Sequence, residues 1–240
     1  MNMKPVVLIM IVFTLVITAS APSYASPASG CKSTDSTCRD FEQFTEAGQF
    51  EKIVARYETA AGTVYSEASR SYIGQAYLAL ASRDDVTAEQ EERCYLNAIK
   101  LDWPIAYMGL YFFHVQKDEE KALGFLREYV KTKPADMVPF VILGEAELDR
   151  NNYEIADAYL REAKRVAHAY SPRVDWLLFK ANYLLKNYQF ASEMFMNAAT
   201  KGKFESEIKA LSADPRFEGI EKRPEFDACR SLFKLAKSGN

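Results

Sequence analysis

The sequence predicts an all-α chain: a right-handed solenoid of about four antiparallel helix pairs, with a leading helix in front and a capping segment behind. Three observations predict it. Beyond about Phe41 apolar residues recur at spacings of three and four, and no alternating run persists. Only seven prolines lie beyond residue 25 of the 240. Two independent series of residues return every 34 or 35 positions, the mark of a stacked repeat.

The N-terminus comes first. Lys4 is followed by an apolar run from Val6 to Ile17 and by small residues up to Ser23-Tyr24-Ala25, the layout of a signal peptide spanning 1–25 with cleavage after Ala25. The run is short against the roughly 20 residues a spanning helix needs. An uncleaved anchor is the alternative, and lipid attachment at Cys31 a third reading. The chain is therefore expected to be exported, to a periplasm or beyond the cell. The absence of any Asn-x-Ser/Thr site accords with a bacterial route. Residues 26–40 read as a flexible Ser/Thr/Cys-containing leader in which Cys31 and Cys38 are close enough in sequence to close a small disulfide loop. Cys94 and Cys229 fall on predicted helices far apart along the chain, too distant in an extended stack to bridge.

Repeats follow over 41–203. Apolar-Gly pairs appear at Ile73-Gly74, Met108-Gly109 and Leu143-Gly144, and a second series one helix later at Ala122, Ala156 and Ala191. Around that alanine the neighbours repeat as Ala122-Leu126-Tyr129, Ala156-Leu160-Ala163 and Ala191-Phe195-Ala198, which line one helix face. Phe50, Ile53, Tyr57 and Ala60 repeat the pattern upstream. Small residues facing large ones let two helices approach closely, so Gly74, Gly109 and Gly144 are expected at equivalent places in successive pairs, and Pro134 stops one second helix.

These residues resemble the tetratricopeptide repeat, a helix-turn-helix unit of about 34 residues. The resemblance runs from about Phe41 to Thr200 and is strongest over Met137 to His168. Departures are the extra residues around Ser82 to Thr87 and Phe179 at a place where a small residue is usual.

The segment 204–240 reads as the cap. Asp214-Pro215-Arg216-Phe217 returns nine residues later as Arg223-Pro224-Glu225-Phe226, similar to the closing segment of bacterial tetratricopeptide proteins. There, two short turns lay their Phe rings over the last helix face. A stack needs such a lid because its terminal unit would otherwise expose apolar surface.

Composition narrows the function. The net charge is −3, or −4 once the signal and its single lysine are removed, and no field of that sign recruits nucleic acid or an anionic membrane. For catalysis the inventory is thin. His114 and His168 are the only histidines, neither has metal-ligand spacing to a Cys or acid, and no nucleophile elbow, P-loop, HExxH or CxxC occurs. No enzyme activity, cofactor or metal is expected. Asp84, Asp85, Glu89, Glu91 and Glu92 read as acids around a helix N-terminus, with Thr87 and Gln90 forming a capping box, rather than as a cation loop.

What the resemblance implies is a groove lined by the first helices: Gln75 and Leu78, then Leu110, Phe113 and His114, then Glu145, Leu148 and Asp149, then Trp176, Lys180 and Tyr183. Aromatics beside isolated charges suit a peptide, because rings supply contact area at low entropy cost while single charges set orientation. The competing reading is that Phe113, Trp176 and Tyr183 are core. His168 is expected at a helix end, facing the C-terminal dipole. The expected function is that of an extracytoplasmic scaffold holding a protein or peptide partner, in envelope or secretion-complex assembly. The alternatives are a self-associating homo-oligomer with no foreign client and an enzyme of unrecognised type.

Overall fold

The computed structural model describes residues 31–238, apart from 33, 61, 203 and 212; the signal peptide read at 1–25 lies outside the described residues. Among the described residues there are only helices. The chain divides into two compact units, up to Ala122 and from Leu123.

The first unit holds α1 (Ser36–Glu46), α2 (Phe50–Thr59), α3 (Glu67–Ala81), α4 (Ala88–Lys100) and α5 (Ala106–His114). The boundary falls inside α6 (Glu119–Lys131). The second unit continues with α7 (Val138–Asp149), α8 (Tyr153–Val166), α9 (Pro172–Leu184), α10 (Tyr188–Lys201) and α11 (Glu205–Leu211). Short 3-10 turns at Pro215–Phe217, Ile220–Lys222 and Pro224–Cys229 lead into α12 (Arg230–Ser238).

Within each unit the same stacking rule appears. In the first, α3 packs on both helices of the preceding pair, α1 and α2, and then on α4; in the second, α9 packs on α7 and α8 and then on α10. In these two cases the first helix sits between the two helices of the pair before it and its own second helix. That is how repeats that cannot bury an apolar face alone bury it collectively.

Three pairs reverse direction through the same turn. Gly48, Asn151 and Lys186 take positive φ of 66, 62 and 65°. The next amide then reaches back five residues, Gln49 to Phe44 O, Asn152 to Glu147 O and Asn187 to Asn182 O, at 2.7, 2.9 and 2.8 Å. This satisfies carbonyls that a helix end otherwise leaves unpaired. The α3–α4 turn is longer, spanning Ser82 to Thr87, and there the predicted box forms: Thr87 Oγ1 accepts from Gln90 N, while Gln90 Oε1 accepts from Thr87 N at 2.8 Å. The nearby Asp85 is engaged by the Arg83 guanidinium at 2.6 and 2.8 Å.

Two expectations are corrected. Helix begins at Ser36, inside the segment read as a flexible leader, because Asp35 caps α1 by accepting from Cys38 N at 2.9 Å and a Cys31–Cys38 disulfide closes the approach. The leading element is accordingly a pair, α1 with α2, rather than one helix. The three repeat glycines do not have equivalent neighbours either. A Cβ at Gly74 would strike the Trp103 ring beyond α4, one at Gly109 the Tyr95 ring on the preceding α4, and one at Gly144 would lie 2.7 Å from Leu160 on the following α8. All three positions permit close approach, but only Gly144 makes it within its own helix pair.

The core of the first unit gathers Cys38, Phe41, Ile53, Ile73, Tyr77 and Ala98; that of the second gathers Leu160, Phe179, Phe195, Phe217 and Phe226. Cys94 and Cys229 are buried free thiols. Burial raises both thiol pKa values, that of Cys229 to about 11, which keeps them protonated and unreactive at neutral pH.

Candidate functional site

The predicted groove residues fall into two sets, one in each unit. In the first, Gln75, Leu78 and Phe113 are partly exposed, and the Lys117 ammonium sits 4.3 Å from the Phe113 ring centre. Leu110 is fully buried core. His114 does not belong to a groove: it is buried, and its Nε2 lies 2.8 Å from Glu92 Oε1 on α4, an oxygen that also takes Lys121 Nζ at 3.0 Å. Hydrogen bonding from Lys121, helped by His114 and opposed by burial, holds the Glu92 carboxyl below its ordinary value. The histidine is a packing tie between helices.

In the second unit Leu148, Trp176 and Tyr183 are buried. Phe204 stacks on Trp176 with centroids 5.0 Å apart, and Phe217 stacks on Tyr183 at 5.0 Å. Phe226, wholly buried, meets Phe179, Tyr183 and Phe195 at about 6 Å. Arg223 fastens this cover from outside, lying 3.6 Å from the Tyr188 ring centre and donating to the Tyr188 hydroxyl at 2.9 Å. The rings read as peptide contacts are therefore occupied by the chain's own closing segment. Phe179, unusual in size for its place, is the centre of that cluster.

What this face leaves open is charge. Glu145 on α7 pairs with Arg173 on α9, Asp149 is exposed, and Lys180 is half-buried one turn beyond Trp176. Burial holds the Lys180 ammonium below its ordinary value, while Asp149 and Glu145 oppose that shift and Arg173 and Arg216 reinforce it. Beside them Arg216 grips Asp214 at 2.8 Å. Both signs thus alternate across two successive first helices and the adjoining lid.

One polar pattern escaped the sequence reading. Glu147 and Asn182, 35 residues apart, are both buried on first helices. Each accepts from the side chain five residues on: Glu147 Oε2 from Asn152 Nδ2 at 2.8 Å, and Asn182 Oδ1 from Asn187 Nδ2 at 3.3 Å. Glu147 also receives Arg127 and Arg150, and Asn182 donates to Asp157 Oδ1 at 2.6 Å. Burial opposes ionisation of Glu147 most strongly, yet Asn152, Arg127 and Arg150 together outweigh it and hold the carboxyl below its ordinary value. The repeat was present in the sequence, but Glu and Asn at equivalent places conceal it.

The described residues form successive helix pairs, the architecture that the resemblance to the tetratricopeptide repeat implies. No family model and no curated relative matches the chain. Among solved structures it is similar to the crystal structure of the APC/C hetero-tetramer Cut9-Hcn1, at 14% identity and a TM-score of 0.41, over 98% of this chain and 44% of that one. It therefore spans less than half the length of that neighbour. Among the described residues no group of three or more His, Cys, Asp or Glu is placed to hold a metal ion.

Proposed function

We propose that the chain is an exported, non-catalytic interaction module that holds a protein or peptide partner on the charged first-helix face of its second unit, in envelope or secretion-complex assembly. The observation that carries this reading is the strip of Glu145, Asp149, Arg173 and Lys180, where the large rings are already covered and only alternating charge is offered outward. Such a surface sets register and orientation more than raw affinity. Export is supported by the signal-like N-terminus and by the Cys31–Cys38 disulfide, since such bridges persist in oxidising compartments.

The test is capture from envelope extract by residues 26–240, compared with Asp149→Lys and Lys180→Glu. A discrete partner that is retained by the parent and lost from both reversals supports the reading. Capture unchanged by either reversal overturns it. Export is tested separately by mass spectrometry of the cell-derived protein: an N-terminus at Ser26 is expected, and a retained Met1 would contradict cleavage.

A further inference from the structure

At the turn between α9 and α10 lies an open pocket of about 590 Å³, with Arg161, Asn182, Lys186, Phe190 and Glu225 in its wall, within the roughly 300–1,000 Å³ of ordinary ligand sites. Its meaning comes from the repeat before it. Arg127 and Arg161 stand 34 residues apart on successive second helices, α6 and α8, the interval that also separates Leu126 from Leu160. Arg127 donates to the Glu147 carboxylate at 3.3 Å. Where Glu147 stands, the next repeat has Asn182, a neutral side chain. Arg161 is left without the carboxylate that its predecessor receives.

Part of that loss is made good on its own helix. Arg161 Nε donates to Asp157 Oδ2 at 2.6 Å, and Asn182 Nδ2 donates to the other oxygen, Oδ1, at 2.6 Å. The guanidinium lies 4.6 Å from the Phe190 ring centre, which supports one of its faces. Among the described residues the terminal nitrogens Nη1 and Nη2 have no hydrogen-bond partner, and the side chain is 51% exposed, so a ligand reaches them. A guanidinium held through one nitrogen and one ring face presents a planar fork that matches a carboxylate. Charge decides between the anions. The wall carries Arg161 and Lys186 against Glu225, while beside it Asp157 and Arg223 offset each other. A single net positive charge suits a monoanion. A dianion such as sulfate would be left facing the Glu225 carboxylate, and a cation would meet both Arg161 and Lys186.

We propose that this pocket binds a monoanionic carboxylate from outside the chain, which takes up the Arg161 terminal nitrogens in place of the Glu147 carboxylate of the preceding repeat. Two sources share this chemistry: the side chain of a Glu or Asp on a bound polypeptide, and a small free carboxylic acid. The pocket shares no residue with the strip of Glu145, Asp149, Arg173 and Lys180. Only the polypeptide source rests on the interaction-module reading; the carboxylate chemistry is independent of it.

Titration of the isotopically labelled full chain with acetyl-glutamate amide and with propionate, followed by NMR of the Asn187 amide and the Phe190 ring, tests it without any partner. Saturable shifts are expected with these carboxylates and not with acetyl-glutamine amide, the neutral isostere, or with sulfate. Tighter binding of acetyl-glutamate amide assigns the carboxylate to a polypeptide side chain, and tighter binding of propionate assigns it to a free acid. Arg161→Gln should weaken binding by about tenfold or more. Arg165→Gln removes the same charge from the same helix, but from a guanidinium committed to Glu162, and should leave binding within about twofold. Asn182→Glu, which returns the internal carboxylate, should abolish binding; Arg161→Gln, at a half-exposed side chain, remains informative should that buried change fail to fold. The proposal is overturned by any one of four outcomes: no saturation with either carboxylate, equal saturation with acetyl-glutamine amide or sulfate, equal losses in Arg161→Gln and Arg165→Gln, or full binding by Arg161→Gln. A null titration with charge-dependent partner capture intact would remove the pocket and leave the interaction module standing.

Discussion

The first helices α3 and α9 both bury an apolar face, and the segments that cover them are built differently. At the N-terminal end a short pair, α1 with α2, lies against α3, and its approach is tied by the Cys31–Cys38 disulfide and by Asp35, which both caps α1 and accepts from Ser66 Oγ at 2.6 Å at the cap of α3. At the C-terminal end three 3-10 turns lay Phe217 and Phe226 into a cluster of rings built around Phe179. One end relies on a covalent constraint and local hydrogen bonds; the other relies on buried aromatic area, whose stabilisation grows with the surface removed from water. At the C-terminal end, then, short turns do what a further helix pair does elsewhere.

The largest expected effect lies at the aromatic end. Phe226→Ala empties a fully buried site among three rings and should destabilise the second unit by about 3–5 kcal/mol in urea unfolding followed by Trp176 fluorescence. A loss under 1 kcal/mol would mean that the rings are not the closing device. Next is Glu147→Ala, which strips the shared acceptor of Arg127, Arg150 and Asn152 and should cost about 2–3 kcal/mol. Because the Glu147 carboxyl is held below its ordinary value of 4.5, its contribution is present above that pH and is lost as pH falls through the lower folded value. Chemical denaturation at stepped acid pH should show a parent chain losing stability there that the Ala variant no longer has to lose.

At the covalent end, replacing Cys31 and Cys38 together by Ser should cost roughly 2 kcal/mol, as expected for a loop this short, and should act on the first unit alone. Hydrogen exchange resolves the two units: deprotection reaching α9 and α10 would erase the distinction between the ends. The smallest effect concerns the shared turn. Gly48 and Lys186 take the same positive φ, so Lys186→Gly should raise stability by about 0.5–1 kcal/mol, whereas Gly48→Ala should lower it by about 1 kcal/mol; paired thermal melts compare them directly.

Several features were legible because they are local. The Thr87–Gln90 box is a contact over three residues, and the cap was announced by a Pro-x-Phe turn written twice. Others were not. Trp176 and Tyr183 lie on the face read as a groove, but helical periodicity identifies a face without saying whether a partner or the chain's own tail covers it. His114 met Glu92 across 22 residues, a pairing no spacing rule encodes. The glycines returned at a constant interval and yet meet a Trp, a Tyr and a Leu drawn from three different elements.

By itself the sequence determined the all-helical class, the period, the Thr87–Gln90 cap and the existence of a lid, since each depends on residues within a turn or two of one another and on the preference of apolar side chains for a common face. Only the tertiary structure decided which of those faces remain open, that the closing segment takes the rings, and that Glu147 and Asn182 are buried at equivalent places. Burial is a property of whatever distant segment arrives to pack, and the same Trp or Asp reads identically in the sequence whether that segment arrives or not.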